Sequence, residues 1–191
     1  LRRQRQMCIR DRYSILPLIV LVAWACALLL IDLFIPKERK GWTALLAALG
    51  MLVPLVLAVA QLGQSYVTFG GMIVLDGFSS FLTILLLGSG IIGVTLAYDY
   101  LRRMGIERGE YYVLLMLSIV GMILMTMAAD LIVVFIALEL LSIPLYVLAG
   151  FAAPRPDSEE AALKYFLLGA FSSGFVVYGS PWSLARRVRR P

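Results

Sequence analysis

Apolar residues in this 191-residue chain fall into six blocks, each close to 20 residues long, separated by short polar segments. The blocks cover about 14–35, 42–62, 76–98, 111–128, 131–151 and 161–179. A helix of about 20 residues rises about 30 Å, the thickness of a bilayer's hydrocarbon core, so each block predicts a membrane-crossing helix. The separators are KERK (Lys37 to Lys40), QLGQSYVTFGG (Gln61 to Gly71), DYLRRMGIERGE (Asp99 to Glu110), the single Asp130, and AAPRPDSEE (Ala152 to Glu160). Connections this short make consecutive helices antiparallel neighbours. Pro36 ends the first helix, and Pro54 and Pro144 fall inside the second and fifth, where a proline kinks the backbone. The fold class expected is an all-α membrane protein with six transmembrane helices.

Composition agrees with the blocks. Hydrophobic residues make up 61% of the chain against 15% charged, with a mean hydropathy of +0.91, well outside the range of water-soluble domains. The net charge of +5 raises the question of a nucleic-acid partner, and its distribution answers it. Five arginines lie in residues 1–12 and four in residues 186–190, whereas residues 13–179 carry 8 basic and 11 acidic side chains, a balance of −3. The body therefore has no basic face on which to bind nucleic acid. With no histidine and two cysteines, Cys8 in the basic leader and Cys26 within an apolar block, neither a disulfide nor a Cys/His metal site is expected.

The basic loops alternate. KERK follows the first helix and Arg102, Arg103 and Arg108 follow the third, while the segments after the second and fourth carry no basic residue. Cytoplasmic loops carry the excess of Lys and Arg, so this pattern puts the N-terminus on the outer, periplasmic side. Both Arg-rich ends contradict that orientation and differ in character from the rest. Residues 1–13, with the string MCIRDR, and residues 180–191 are expected to be foreign to the native sequence, leaving 14–179 as the transmembrane bundle.

Two charges within the apolar blocks carry the chemistry. Glu139 lies near mid-membrane depth, where an acidic side chain costs on the order of 2.5–3.5 kcal/mol and has to face the bundle interior beside a partner. Pro144 leaves the carbonyl of Leu140 without its amide donor, and Ser142 and Tyr146 share the face of Glu139 at helical spacings. A carboxylate beside a broken backbone and two hydroxyls suits a proton relay; a carboxyl serving only as interhelical glue, hydrogen-bonded to a Ser or Tyr, has the same pattern. Lys164 lies about one turn into the sixth block. It is either a bundle cation whose protonation is coupled to a nearby carboxylate such as Glu139, or a snorkelling side chain paired with Glu160 four residues earlier. Asp32, Asp76 and Asp130 lie near helix ends and read as caps or topological residues.

The motif ALELLSIPLYVLAGF (Ala137 to Phe151) followed by EAALKYFLLGAFSSG (Glu160 to Gly174), with VLDGFSSFL (Val74 to Leu82) upstream, resembles the subunit N family of bacterial NADH-quinone oxidoreductase, respiratory complex I. The resemblance extends over about residues 14–179. It implies an N-terminal fragment of a larger antiporter-like helical bundle of inverted repeats, in which Glu139 and Lys164 match the family's proton-transfer glutamate and lysine. Ser142, Pro144, Tyr146 and Glu160 are then supporting residues. It implies further that this chain does no redox chemistry and holds no cofactor, with NADH, flavin, iron-sulfur clusters and quinone bound by other subunits. The implied partners are the other membrane subunits of complex I and the lipid bilayer, and the implied location is the bacterial inner membrane. A cation/proton antiporter or membrane-bound hydrogenase subunit of the same module, and a passive scaffold bundle, are the alternatives.

Overall fold

The computed structural model describes residues 12–36, 41–153 and 155–188. The KERK cluster, Cys8 and most of the basic leader lie outside the described residues. Six helices account for nearly all of the rest: α1 (Leu16–Phe34), α2 (Gly41–Ala60), α3 (Gly77–Met104), α4 (Glu110–Met127), α5 (Leu131–Ala149) and α6 (Pro156–Val188). All six are long and apolar enough to cross a membrane, α6 over Pro156–Gly179, so this is a multi-pass membrane protein.

Local chemistry sets where the helices begin and end. Pro17 occupies the first turn of α1, where its missing N–H is no loss, and the chain leaves the helix at Ile35, extended ahead of Pro36. Asp76 caps α3, its Oδ1 accepting from the Ser79 amide at 2.7 Å while the Ser79 hydroxyl accepts from the Asp76 amide at 2.9 Å. The bond from the Ser79 amide first, and then that with the Ser79 side chain, hold the Asp76 carboxyl below its usual pKa. The third helix runs past the expected end near residue 98 to Met104. The segment after Tyr98 is polar without being a breaker, Arg103 pairs with Asp99 at 2.7 Å, and only Gly105, with φ of 69°, turns the chain away. Likewise α6 continues to Val188 rather than stopping near residue 179; the loss of apolar character there ends the membrane span, not the helix.

The segment after α2 corrects a second expectation. Rather than a plain linker it forms a hairpin of β1 (Tyr66–Thr68) and β2 (Ile73–Leu75), with Tyr66 opposite Leu75 and Thr68 opposite Ile73. Aromatic and β-branched residues favour the strands, and Gly70 and Gly71, with φ of 65° and 95°, supply the left-handed backbone at the tip. The Ala129 amide donates to the Met72 carbonyl at 2.9 Å, tying the α4–α5 turn to this hairpin. Asp130 then caps α5 as expected, its Oδ1 accepting from the Ile132 amide at 2.8 Å.

Helices α1 to α4 form a closed unit in which α1 also packs on α4; α5 packs on α4, and α6 packs on α5. The core lies among α1–α4, with Leu21, Leu28, Met51, Leu87, Met116 and Ile123 fully enclosed. Asp32, in the last turn of α1, is buried there and accepts from the Thr43 hydroxyl of α2 at 2.7 Å. Its carboxylate lies against Gly109 at the start of α4, where a Cβ would fall 2.0 Å from Oδ1. Asp32 is thus an interhelical tie of three helices rather than a terminal cap. By contrast, no side chain in the membrane span of α6 is buried.

Candidate proton-transfer site

The approach of α5 to its neighbours is governed by two glycines. At Gly121 of α4 a Cβ would fall 2.4 Å from the backbone nitrogen of Leu141, so only glycine lets α5 come this close. At Gly169 of α6 a Cβ would fall 1.9 Å from the hydroxyl oxygen of Tyr146. The aromatic ring of Tyr146 fills the remaining space, standing edge-on to Tyr165 at 4.9 Å and Phe166 at 5.8 Å. One helix is therefore gripped from both sides, and it is the helix that carries Glu139.

Glu139 is the ninth residue of the 19-residue α5, which places it near the middle of the membrane span. It is half-buried, and its Oε1 accepts a short hydrogen bond from the Ser173 hydroxyl of α6. Ser173 lies one turn beyond Gly169 on the stripe of α6 that faces α5, together with Ala162 and Val176, which are half-buried in a helix otherwise mostly exposed. Pro144 is buried within α5 and leaves the Leu140 carbonyl beside Glu139 without a helical donor. Ser142 and Tyr146 are half-buried on the same helix, and among the described residues neither donates to Glu139. Around mid-membrane the α5–α6 contact brings together the Glu139 carboxylate, the Ser173 hydroxyl and, one turn back along α6 beside Gly169, the Tyr146 hydroxyl. Where α5 ends and α6 begins, the Ser158 hydroxyl of α6 donates to the Ala149 carbonyl of α5 at 2.8 Å.

Lys164 sits elsewhere. Nine residues separate it from Ser173, which on a helix is two and a half turns: about 13.5 Å along the axis and about 180° around it. Its ammonium pairs with Glu160 one turn earlier, and the two side chains are 73% and 64% exposed. The structure therefore brings Glu139 to Ser173 and Lys164 to Glu160, and it does not bring Glu139 and Lys164 together. The glutamate-to-lysine spacing seen in the sequence is the ordinary i, i+4 helical pair. The sequence pattern did not single out Ser173; its signal was the 162, 169, 173, 176 stripe of small residues and Val at helical spacing, opposite the Glu139 face.

Residues 128–185 match the family described as NADH:quinone oxidoreductase/Mrp antiporter, transmembrane, a match that takes in α5 and most of α6. The chain is 51% identical over 170 residues to NADH-quinone oxidoreductase subunit N of Chloroflexus aggregans, covering 88% of this chain and 35% of that relative. It is 48% identical over 160 residues to NADH-quinone oxidoreductase subunit N 2 of Roseiflexus castenholzii, covering 84% and 32%. Among solved structures it is similar to a chain of respiratory complex I from Thermus thermophilus with bound aureothin, with a TM-score of 0.73 and 32% identity over 86% of this chain and 35% of that one. The chain thus spans about a third of the length of the relatives it matches.

Proposed function

We propose, on the premise that residues 128–185 belong to the NADH:quinone oxidoreductase/Mrp antiporter transmembrane family, that this chain is part of a proton-translocating membrane subunit of an NADH-quinone oxidoreductase. The observation that carries this reading is an ionisable carboxylate at mid-membrane depth, held by a hydroxyl from the next helix and next to a proline break. A charged group costs too much in the hydrocarbon core to be there for packing alone. A carboxylate that meets a hydroxyl and a free backbone carbonyl has places for ordered water, and water chains move protons.

In this reading Glu139 takes up a proton as a carboxylate and releases it as a carboxylic acid, with no bond to carbon made or broken. Lys164 is the second charge of the path, and its protonation follows the electrostatic field of neighbouring groups. Ser142, Tyr146 and the Leu140 carbonyl freed by Pro144 line the approach to Glu139, and Glu160 anchors Lys164. Electron transfer from NADH to quinone, with its flavin and iron-sulfur clusters, belongs to other subunits, which drive this one through membrane contacts. The chain lies in a bacterial inner membrane with its N-terminus on the outer side, the orientation that leaves Arg102, Arg103 and Arg108 in the cytoplasm.

Glu139→Gln in the full-length protein, assembled in its complex, tests the reading. The variant keeps the size and hydrogen-bonding shape of the side chain and removes its proton. Assembly and the electron transfer that does not depend on pumping are retained, while proton translocation in sealed vesicles falls about tenfold or more, the scale of losing a proton-transfer group. Full translocation in this variant would leave Glu139 as interhelical glue and the chain as a scaffold, a reading to which its satisfied hydrogen bond to Ser173 lends some weight.

A further inference from the structure

We infer that Ser173 is a positioning residue for Glu139: its hydroxyl holds the carboxylate on the α5-facing side of α6, on the opposite side of that helix from Lys164. The inference rests on the reading of Glu139 as a proton carrier and adds to it the group that decides where the carboxylate points. Three observations support it.

The bond crosses between helices, as does that of Thr43 to Asp32, another helix hydroxyl that meets a carboxylate. Ser and Thr hydroxyls inside membrane helices ordinarily donate back to a carbonyl of their own helix. Five hydroxyls of α3 and α4 do so: Thr83 to Ser79, Ser89 to Leu86, Thr95 to Ile92, Ser118 to Leu115 and Thr126 to Ile123. Ser173 instead donates across the helix boundary to a carboxylate on α5.

The donor is well matched to a group that changes charge. A serine hydroxyl has one proton and two lone pairs. While Glu139 is ionised the hydroxyl donates to it. When Glu139 carries a proton, the carboxylic acid donates to Ser Oγ, and the serine proton turns to the Gly169 carbonyl, one turn back in α6. Ser173 can therefore follow either protonation state by rotating one bond, without leaving a buried donor unpaired.

The local packing keeps the contact in register. Gly169, four residues earlier, has no Cβ to hold α6 off Tyr146, and Gly121 lets α5 seat on α4 from the other side. The distance and the half-turn offset between Ser173 and Lys164 then keep the carboxylate and the ammonium apart for as long as the serine bond persists.

The test uses the full-length protein in its assembled complex, with Ser173→Ala, Ser173→Thr and Glu139→Gln. Redox-triggered infrared difference spectra identify the Glu139 carboxyl band as the one lost in Glu139→Gln. In Ser173→Ala that band shifts, because the hydrogen bond that fixes it is gone, and proton translocation falls about ten- to hundredfold, the population change expected from losing a bond to a charged group. Ser173→Thr keeps the hydroxyl and restores both the band position and the rate. An unshifted band in Ser173→Ala, with Glu139→Gln still inactive, overturns the positioning role and leaves the proton-carrier reading standing. Full translocation in Glu139→Gln defeats the proton-carrier reading itself. A shifted band with unchanged translocation in Ser173→Ala also overturns the inference, since the bond would then hold the side chain without steering its proton.

Discussion

Glu139 and Lys164 are both charged residues on apolar helices, yet their surroundings separate them. Glu139 is half-buried against α6 with a hydroxyl partner, whereas Lys164 is on the outer side of α6 with Glu160. Depth along the chain could be counted from the sequence, because a helix has a fixed rise. Azimuth could be counted too, but only relative to a neighbour whose own rotation is unknown before packing, and this is why the sequence offered Ser142 and Tyr146 on the Glu139 face and not Ser173. The Lys164–Glu160 pair gives a residue-scale prediction. Two exposed side chains at i, i+4 contribute about 0.2–0.5 kcal/mol to each other. A double-mutant cycle of Lys164→Gln and Glu160→Gln, read by thermal unfolding of the full-length protein in lipid nanodiscs, gives a coupling within that range. A coupling above about 1.5 kcal/mol would mean that the pair is desolvated and not an exposed one.

Between elements, the closest approaches are made where side chains are missing. The Leu141 backbone would lie 2.4 to 2.7 Å from a Cβ at Gly121, and neither atom can move without moving α5 as a whole. Gly121→Ala therefore destabilises the full-length protein by about 1–3 kcal/mol, the scale of overpacking a tight interface, and lowers its unfolding midpoint. Gly88→Ala, on α3 with nothing within 4 Å of the added carbon, is the matched control. It is neutral or stabilising by up to about 1 kcal/mol through helix propensity. Equal losses at both positions would show that the cost lies in the glycine backbone and not in the α4–α5 contact. The six helices themselves were legible, since a block of 20 apolar residues has few other structures open to it in a membrane. What escaped was the hairpin at Tyr66–Leu75 and the extra turns of α3 and α6. The first is too short to show a periodicity; the α3 extension lies where the apolar signal ends but no breaker comes before Gly105, and the α6 extension runs on through Gly179 and Pro181, residues that read as a stop.

For the molecule as a whole, burial declines from one side of the bundle to the other. The unit α1–α4 encloses the core, α5 is half-covered, and the membrane span of α6 exposes Leu163, Phe166, Leu168, Phe171 and Phe175. Large apolar side chains facing outward are what a bilayer requires, so exposure here does not by itself call for a protein neighbour. What the bundle does fix is a shared axis. The Asp32–Thr43 tie, the ends of α3 and α5 and the start of α6 lie at one end, and the hairpin, Asp76 and the Asp130 cap lie at the other. Arg102, Arg103 and Arg108 are at the first end while the hairpin segment has no charged residue, so the proposed orientation puts the first end in the cytoplasm. Single cysteines placed at Val67 in the hairpin and at Arg108 between α3 and α4, in the full-length protein with Cys26 and any other native cysteine replaced, read this directly. A membrane-impermeant maleimide applied to intact cells stripped of their outer membrane labels position 67, which is 71% exposed, and leaves position 108 unlabelled until the membrane is opened. The reverse pattern would invert the bundle. It would put the basic loop outside, against the Lys and Arg bias, and the Ser158–Ala149 end of the α5–α6 contact would then face the outer side.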